Sequence, residues 1–233
     1  MADSWNGHRR IETQGDIAEG LMALAALDPR LVAVIAATGP VPLRRGPPGF
    51  AGLAEVIVGQ MVSKASAAAI WARLAPAGSL LTPDAMAGMD EAGCRAAGLS
   101  QAKARALKGV AQACLSGDLD LHAVCDLPGE AAIAALTALP GVGAWTAEVY
   151  LLVHAGHPDI FPAGDVALRA AVGRAFGLDP RPDIAATRAL SEGWVPWRSV
   201  AARLFWAYYA RHVRPTGGLA AGEAGGAGAG GPA

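Results

Sequence analysis

The sequence predicts an all-α fold, and three observations carry that prediction. Apolar residues recur at helical spacing along almost every segment, strand-like alternation is absent, and the breaks between segments hold helix-capping residues, glycine or proline. At 233 residues the chain is long enough to bury a large core without disulfides or metals. Hydrophobic residues make up 53% and charged residues 17%, which excludes disorder for the body of the chain.

The elements follow in order. "GDIAEGLMALAALDPRLVAVIAATG" predicts two short helices meeting at Asp28-Pro29, because proline is tolerated at a helix start but not inside one. "VPLRRGPPG" is a connector. "FAGLAEVIVGQMVSKASAAAIWARLAPAG" places Phe50, Leu53, Ile57 and Met61 at helical spacing and predicts one long helix over 50–75. Thr82 is a natural N-cap for "PDAMAGM", and a helix runs from Ser100 to a glycine stop at Gly117. "GEAAIAALTALP" and "AWTAEVYLLVHAG" are helical on either side of a glycine pair. "DVALRAAVGRAFG", "RPDIAATRALSEGW" and "PWRSVAARLFWAYYARHVR" complete the body, with Trp206, Tyr208 and Tyr209 expected mostly in the core. Residues 1–14 form a polar leading segment, and the Gly/Ala-rich stretch 215–233 is expected to be a flexible tail.

Bulk composition narrows the function classes. Cys94, Cys114 and Cys125 form no CxxC pair, so neither a disulfide framework nor a structural zinc or iron–sulfur site is indicated. The polar start lacks the apolar stretch of a signal peptide, and the apolar runs are too short or too interrupted for a bilayer span, which needs about 20 residues. A soluble cytoplasmic protein, nucleoid-associated in a bacterium, is the expectation. The formal net charge of −1 does not advertise a nucleic-acid partner. Between Asp165 and Arg214, however, eight arginines face four acids, and Arg95, Lys103, Arg105 and Lys108 form a second basic cluster. Such clusters are either phosphate-facing stripes or solvated helix faces.

The stretch "LPGVGAWTAEVYLLVHAGHPDIFPAGDVALRAAV" concentrates the chemistry. Gly141 and Gly143 cannot open a dinucleotide fingerprint, because a helical segment precedes them and the third position is Thr146. What remains is helix, tight turn, helix. Either this is an ordinary αα-hairpin, or its glycines take positive φ and admit a phosphate to the amides of Gly141, Val142, Gly143, Ala144 and Thr146, where the helix dipole favours an anion. Asp165 is a natural N-cap for "VALRAAV". The spacing of His154 and His157 would suit a metal, but no third ligand lies nearby.

These residues resemble a known family. "LPGVGAWTAEVY" looks like the helix-hairpin-helix, and "FPAGDVALRAAV" like the Gly/Pro-rich loop with an aspartate, that together define the helix-hairpin-helix/GPD superfamily of DNA glycosylases. "VIVGQMVSKASAAAIWARL", "GLSQAKARALKGVA" and "WVPWRSVAARLFWAYYA" match in family order, so the resemblance runs from about residue 50 to residue 212. The branch it resembles is 3-methyladenine DNA glycosylase II, the AlkA-like enzymes. With only some 50 residues before the first matching block, the expectation is the compact form without the N-terminal β-rich domain of the best-known members.

The resemblance implies a two-lobed helical fold, with 15–49 plus 156–214 as one lobe, 50–155 as the other, the hairpin at 129–155 and the active site in the cleft between them. It implies a monofunctional glycosylase of base excision repair that flips an alkylated purine, of the 3-methyladenine or 7-methylguanine type, out of double-stranded DNA and hydrolyses its glycosidic bond. Asp165 would be the catalytic residue. Trp145 stands where strand-cutting relatives carry a nucleophilic lysine, so no lyase step is expected, and its indole suits a cationic base; a lone tryptophan is otherwise core. Trp197 would be a second pocket aromatic. Val149 replaces a pocket tyrosine of close relatives, and the neighbouring Tyr150 points to a different helix face. Met61, with Gln60 beside it, would be the apolar wedge that fills the gap left by the flipped base, set in a turn that interrupts the 50–75 helix near Gly59; in the alternative it continues the core stripe of Leu53 and Ile57. No cofactor is required, but carbonyls of Thr137, Leu139 and Val142 would hold a monovalent Na+ or K+ ion at the hairpin. A monomer is expected. The alternatives from other classes are a non-catalytic helix-hairpin-helix DNA-binding protein and a glycosylase for deaminated or oxidised bases.

Overall fold

A computed structural model describes residues 10–75 and 80–213; most of the expected polar leading segment and the 215–233 tail lie outside them. Among the described residues every regular element is helical: α1 (Gln14–Leu27), α2 (Arg30–Thr38), α3 (Phe50–Gly59), α4 (Lys64–Leu74), α5 (Pro83–Gly88), α6 (Glu91–Ala97), α7 (Gln101–Ser116), α8 (Leu121–Cys125), α9 (Gly129–Thr137), α10 (Ala144–Tyr150), α11 (Val166–Phe176), α12 (Ile184–Ser191) and α13 (Arg198–His212). Local chemistry sets most of these boundaries. Thr13, Ser63, Thr82, Asp90, Ser100, Asp120, Asp165 and Asp183 each accept a backbone N–H in the first turn of the helix they precede.

Packing gathers the helices into two sets. One holds α1, α2, α11 and α13, with α12 joined through α11; the other holds α3 to α7, together with α10 packed on α3, α9 on α10 and α8 on α9. In the first set Trp194 is fully buried against Phe161, Phe176 and Phe205, with ring centroids 5.3, 6.3 and 5.2 Å away. Its indole nitrogen donates to Asp28 Oδ2 at 3.0 Å, and Arg30 closes a two-point bridge on the same carboxylate. The Asp28-Pro29 junction is thus the predicted helix break and also an internal ion pair, and the Arg30 bridge takes the Asp28 carboxyl down to about 2. Trp206, Tyr208 and Tyr209 are half-buried against the same core, as expected.

Two sequence expectations are corrected. The single helix over 50–75 is two helices, because the chain leaves α3 after Gly59, turns through Gln60 to Val62, and restarts on the Ser63 cap. Met61 takes a positive φ of 55° there and is fully exposed, so the core stripe ends at Ile57. The break falls where the wedge resemblance places a turn, near Gly59; periodicity alone hides it, since Met61 is in register with Leu53 and Ile57 although the chain has left the helix before it. The helix after the hairpin is also irregular: α10 gives way to one π-helical turn, Leu151–Ala155, closed by Gly156 at a φ of 70°.

Candidate active site

The hairpin joins α9 to α10 through Ala138 to Gly143, and its two glycines do different work. Gly141 has a φ of 84°, and a Cβ there would lie 2.5 Å from Ala106 Cβ on α7, so both backbone and packing require glycine. Gly143 has a φ of −87° and a ψ of 171°, extended backbone open to any residue, which corrects the expectation of positive φ at both positions. A Cβ at Gly143 would meet nothing within 4 Å. Val142 between them is buried and anchors the turn, its amide donating to Leu139 O at 3.1 Å.

No side chain caps α10. Its first-turn amides, Ala144, Trp145 and Thr146, precede the first intrahelical bond, from Ala147 N to Gly143 O at 3.1 Å, and Gly143 and Ala144 are exposed. An open surface, an uncapped helix N-terminus and a missing Cβ together make an approach for an anion.

Asp165 faces this helix. Its Oδ1 accepts Ala167 N at 2.9 Å and Leu168 N at 3.0 Å, which caps α11, and its Oδ2 accepts Trp145 Nε1 at 2.9 Å. Both side chains are half-buried. Three of about four lone-pair directions of the carboxylate are thereby used by N–H donors, which fix its orientation and leave one direction for a further contact. The N-cap reading and the site reading of Asp165 are therefore compatible, since each oxygen serves one of them.

The turn that carries Met61 is tied to the same region. Gln60 Nε2 donates to Thr146 Oγ1 at 2.7 Å, next to Trp145 on α10. From the other side Lys103 Nζ donates to Val58 O at 2.8 Å and Gln60 O at 2.7 Å, satisfying carbonyls at the C-terminal end of α3. Sequence reasoning placed Lys103 in a basic cluster that is either a phosphate-facing stripe or a solvated helix face. Ser100 marked the start of α7 but gave no sign of where the Lys103 amine would reach.

Other expected site residues are placed by different partners. Trp197 precedes α13 and packs on α1, where a Cβ at Gly20 would be 2.8 Å from its ring. Val149 is half-buried against the core. Tyr150 turns away, as expected: it is fully buried, and its hydroxyl accepts Gly49 N at 3.0 Å. His154 and His157 belong to no metal cluster among the described residues. His154 Nδ1 lies 3.0 Å from Pro47 O, the His157 ring accepts Asp159 N at 3.1 Å, and burial takes His157 down to about 4.

Two further features escaped sequence reasoning. Glu148 on α10 is 3% exposed and pairs at 3.4 Å with Arg188 of α12, and burial pushes its carboxyl up to about 7 against the opposing pull of Arg188. Two of the eight arginines after Asp165 are held by the protein itself: Arg198 bridges Asp159 and Glu192, and Arg203 is buried on the carbonyls of Leu43, Leu152 and Ser199. Those two arginines are neither a phosphate stripe nor a solvated face. They neutralise backbone and carboxylate groups inside the fold.

Known proteins resemble this chain in sequence and in fold. Residues 54–196 match the model of the HhH-GPD superfamily base excision DNA repair proteins. The DNA-3-methyladenine glycosylase 1 of Schizosaccharomyces pombe is 30% identical over 172 residues, 70% of this chain and 75% of the relative. A probable bifunctional transcriptional activator/DNA repair enzyme AlkA of Mycobacterium tuberculosis is 40% identical over 109 residues, 46% of this chain, and the match spans only 20% of that longer relative. Among solved structures, an S. pombe 3-methyladenine DNA glycosylase in complex with abasic DNA superposes with a TM-score of 0.74 at 27% identity, covering 81% of this chain and 95% of that one. With its family model, its relatives and its helical fold in agreement, the chain belongs to the HhH-GPD superfamily of base excision DNA repair proteins.

Proposed function

We propose that the protein is a monofunctional DNA glycosylase that excises alkylated purines, of the 3-methyladenine or 7-methylguanine type, from double-stranded DNA. The observation that carries this reading is the bond from Trp145 Nε1 to Asp165 Oδ2, which joins the aromatic and the carboxylate in one site. A methylated purine is cationic, and its positive ring stacks on an indole with a gain of about 0.5 to 2 kcal/mol. As the bond from C1′ to the base nitrogen breaks, its electron pair leaves with the base and cancels that positive charge, so no general acid is needed. Positive character passes to the sugar, where the Asp165 carboxylate opposes it. A water oxygen then bonds to C1′ and its proton departs to Asp165 or solvent, leaving an abasic sugar. Trp145 offers no amine to attack C1′, which argues against strand cleavage.

The hairpin binds the DNA backbone through the amides of Gly141, Gly143, Ala144 and Thr146, the expected Val142 amide being already taken by Leu139 O, with affinity that is salt-dependent and largely independent of sequence. The carbonyls of Thr137, Leu139 and Val142 would supply a monovalent cation site beside that phosphate. Trp145 comes from the set of helices around α3 and Asp165 from the set around α13, which supports a cleft between two lobes as the site. Trp197 and Val149 would border the base, and Met61 would fill the gap. The protein would act on DNA as a monomer.

A duplex carrying a single methylated purine tests this reading. Released base, with abasic sites that become breaks only after hot alkali or an added endonuclease, supports it. Binding without release supports the non-catalytic alternative, direct strand breaks an active lyase, and release only of deaminated or oxidised bases the third reading.

A further inference from the structure

Lys103, a member of the second basic cluster, makes a contact inside the fold that phosphate binding does not explain. Lys103 Nζ lies half-buried between Val58 O and Gln60 O, at 2.8 and 2.7 Å. An ammonium has three N–H donors, and here two are spent on the last carbonyls before Met61. Met61 itself holds a φ of 55°, a conformation that costs a non-glycine residue roughly 1 kcal/mol and persists only where its surroundings impose it. The full exposure of Met61 leaves its own side chain no packing with which to impose it. The surroundings are Lys103 on one side and the Gln60–Thr146 bond on the other.

We propose that Lys103 is a positioning residue for the Met61 wedge: by clamping the carbonyls of Val58 and Gln60 it fixes the left-handed turn that presents Met61 to the DNA. The inference rests on the base-flipping reading above. It assigns Lys103 a task inside the protein, whereas its place in the basic cluster suggested a phosphate contact. Burial lowers the readiness of the amine to carry charge, consistent with an internal site. The positive head against the C-terminal end of α3 also opposes that helix's negative pole.

The test uses the full chain and Lys103→Met, which keeps the stem and removes the donors. Three quantities are read: the slope of log affinity against log salt on an undamaged duplex, the fluorescence of 2-aminopurine at the flipping position, and the ratio of excision from duplex to excision from single strand. A positioning role leaves the salt slope at the wild-type value, abolishes the fluorescence gain and lowers the duplex-to-single-strand ratio by about tenfold or more. It also predicts non-additivity, so that Lys103→Met combined with Met61→Ala flips no worse than Met61→Ala alone. A phosphate contact instead reduces the salt slope by about one and adds to the Met61 change, and either result overturns the proposal. Gln60→Ala, which removes the second tie, should shift the fluorescence in the same direction if Lys103→Met proves too unstable to measure, and no shift there overturns the clamp. A wild type that releases no base but raises the 2-aminopurine signal would contradict the proposed activity while leaving this inference standing; a wild type that raises no signal overturns it.

Discussion

The indole nitrogen of Trp145 donates to Asp165 Oδ2 across 2.9 Å, while the other oxygen of that carboxylate caps α11. The ring that would hold the base and the charge that would act on the sugar are thus positioned by one another. Trp145→Phe keeps an aromatic face and removes the donor. A hydrogen bond to a charged group contributes about 1.5 to 3 kcal/mol, so single-turnover excision should fall by about tenfold or more. An unchanged rate in a folded Phe variant would show that the bond has no part in catalysis.

The two hairpin glycines should separate stability from binding. Gly141→Ala forces a side chain into a φ of 84° and against Ala106 Cβ at 2.5 Å. A loss of more than about 2 kcal/mol, or at least about 4 °C in Tm, is expected in thermal melting. Gly143→Ala enters open space on extended backbone and should stay within about 0.5 kcal/mol of wild type. Its methyl lies where a phosphate would approach, so duplex affinity measured by anisotropy should weaken by about tenfold. The reverse pattern, with Gly143→Ala unstable and Gly141→Ala tolerated, contradicts the assignment.

Much of this was legible in the sequence because the signals are local. The caps at Thr82, Ser100 and Asp165, the break at Asp28-Pro29, and the Gly141 turn depend on residues within a few positions of each other. The proximity of Trp145 to Asp165 followed from family resemblance, and the structure gives it as a hydrogen bond. What stayed hidden joins distant segments. Lys103 reaches back to α3, Gln60 reaches forward to α10, Glu148 pairs across to α12, and Arg203 spans to Leu43. A charged residue has no periodicity that names its partner, so solvent-facing stripes and internal clamps look alike in one dimension. The interruption after Gly59 was legible only through the resemblance that sets Met61 in a turn, because by periodicity Met61 keeps the spacing of Leu53 and Ile57.

Glu148 gives the fold a pH dependence with a defined sign. Burial raises its carboxyl from 4.5 to about 7, so between these values the folded state binds more protons than the unfolded state. Its contribution is fully present below pH 4.5 and is lost as pH rises through about 7. Glu148→Gln removes this dependence. Urea unfolding at pH 5 and pH 8 should show wild type losing stability relative to the variant on going to pH 8, by up to about 3 kcal/mol. A constant difference, or wild type gaining on the variant, contradicts the buried-carboxyl assignment.

The account stands most directly on Asp165. Asp165→Asn preserves an oxygen that can accept the Trp145 indole or cap α11, yet removes the negative charge opposite the sugar. The deciding measurement is single-turnover release of base from a duplex containing one 7-methylguanine, run beside binding to the same duplex. The expected result is binding within about twofold of wild type and excision slower by about a hundredfold or more. An Asn variant that excises at the wild-type rate would contradict the assignment of Asp165 as the catalytic charge, and with it the central claim.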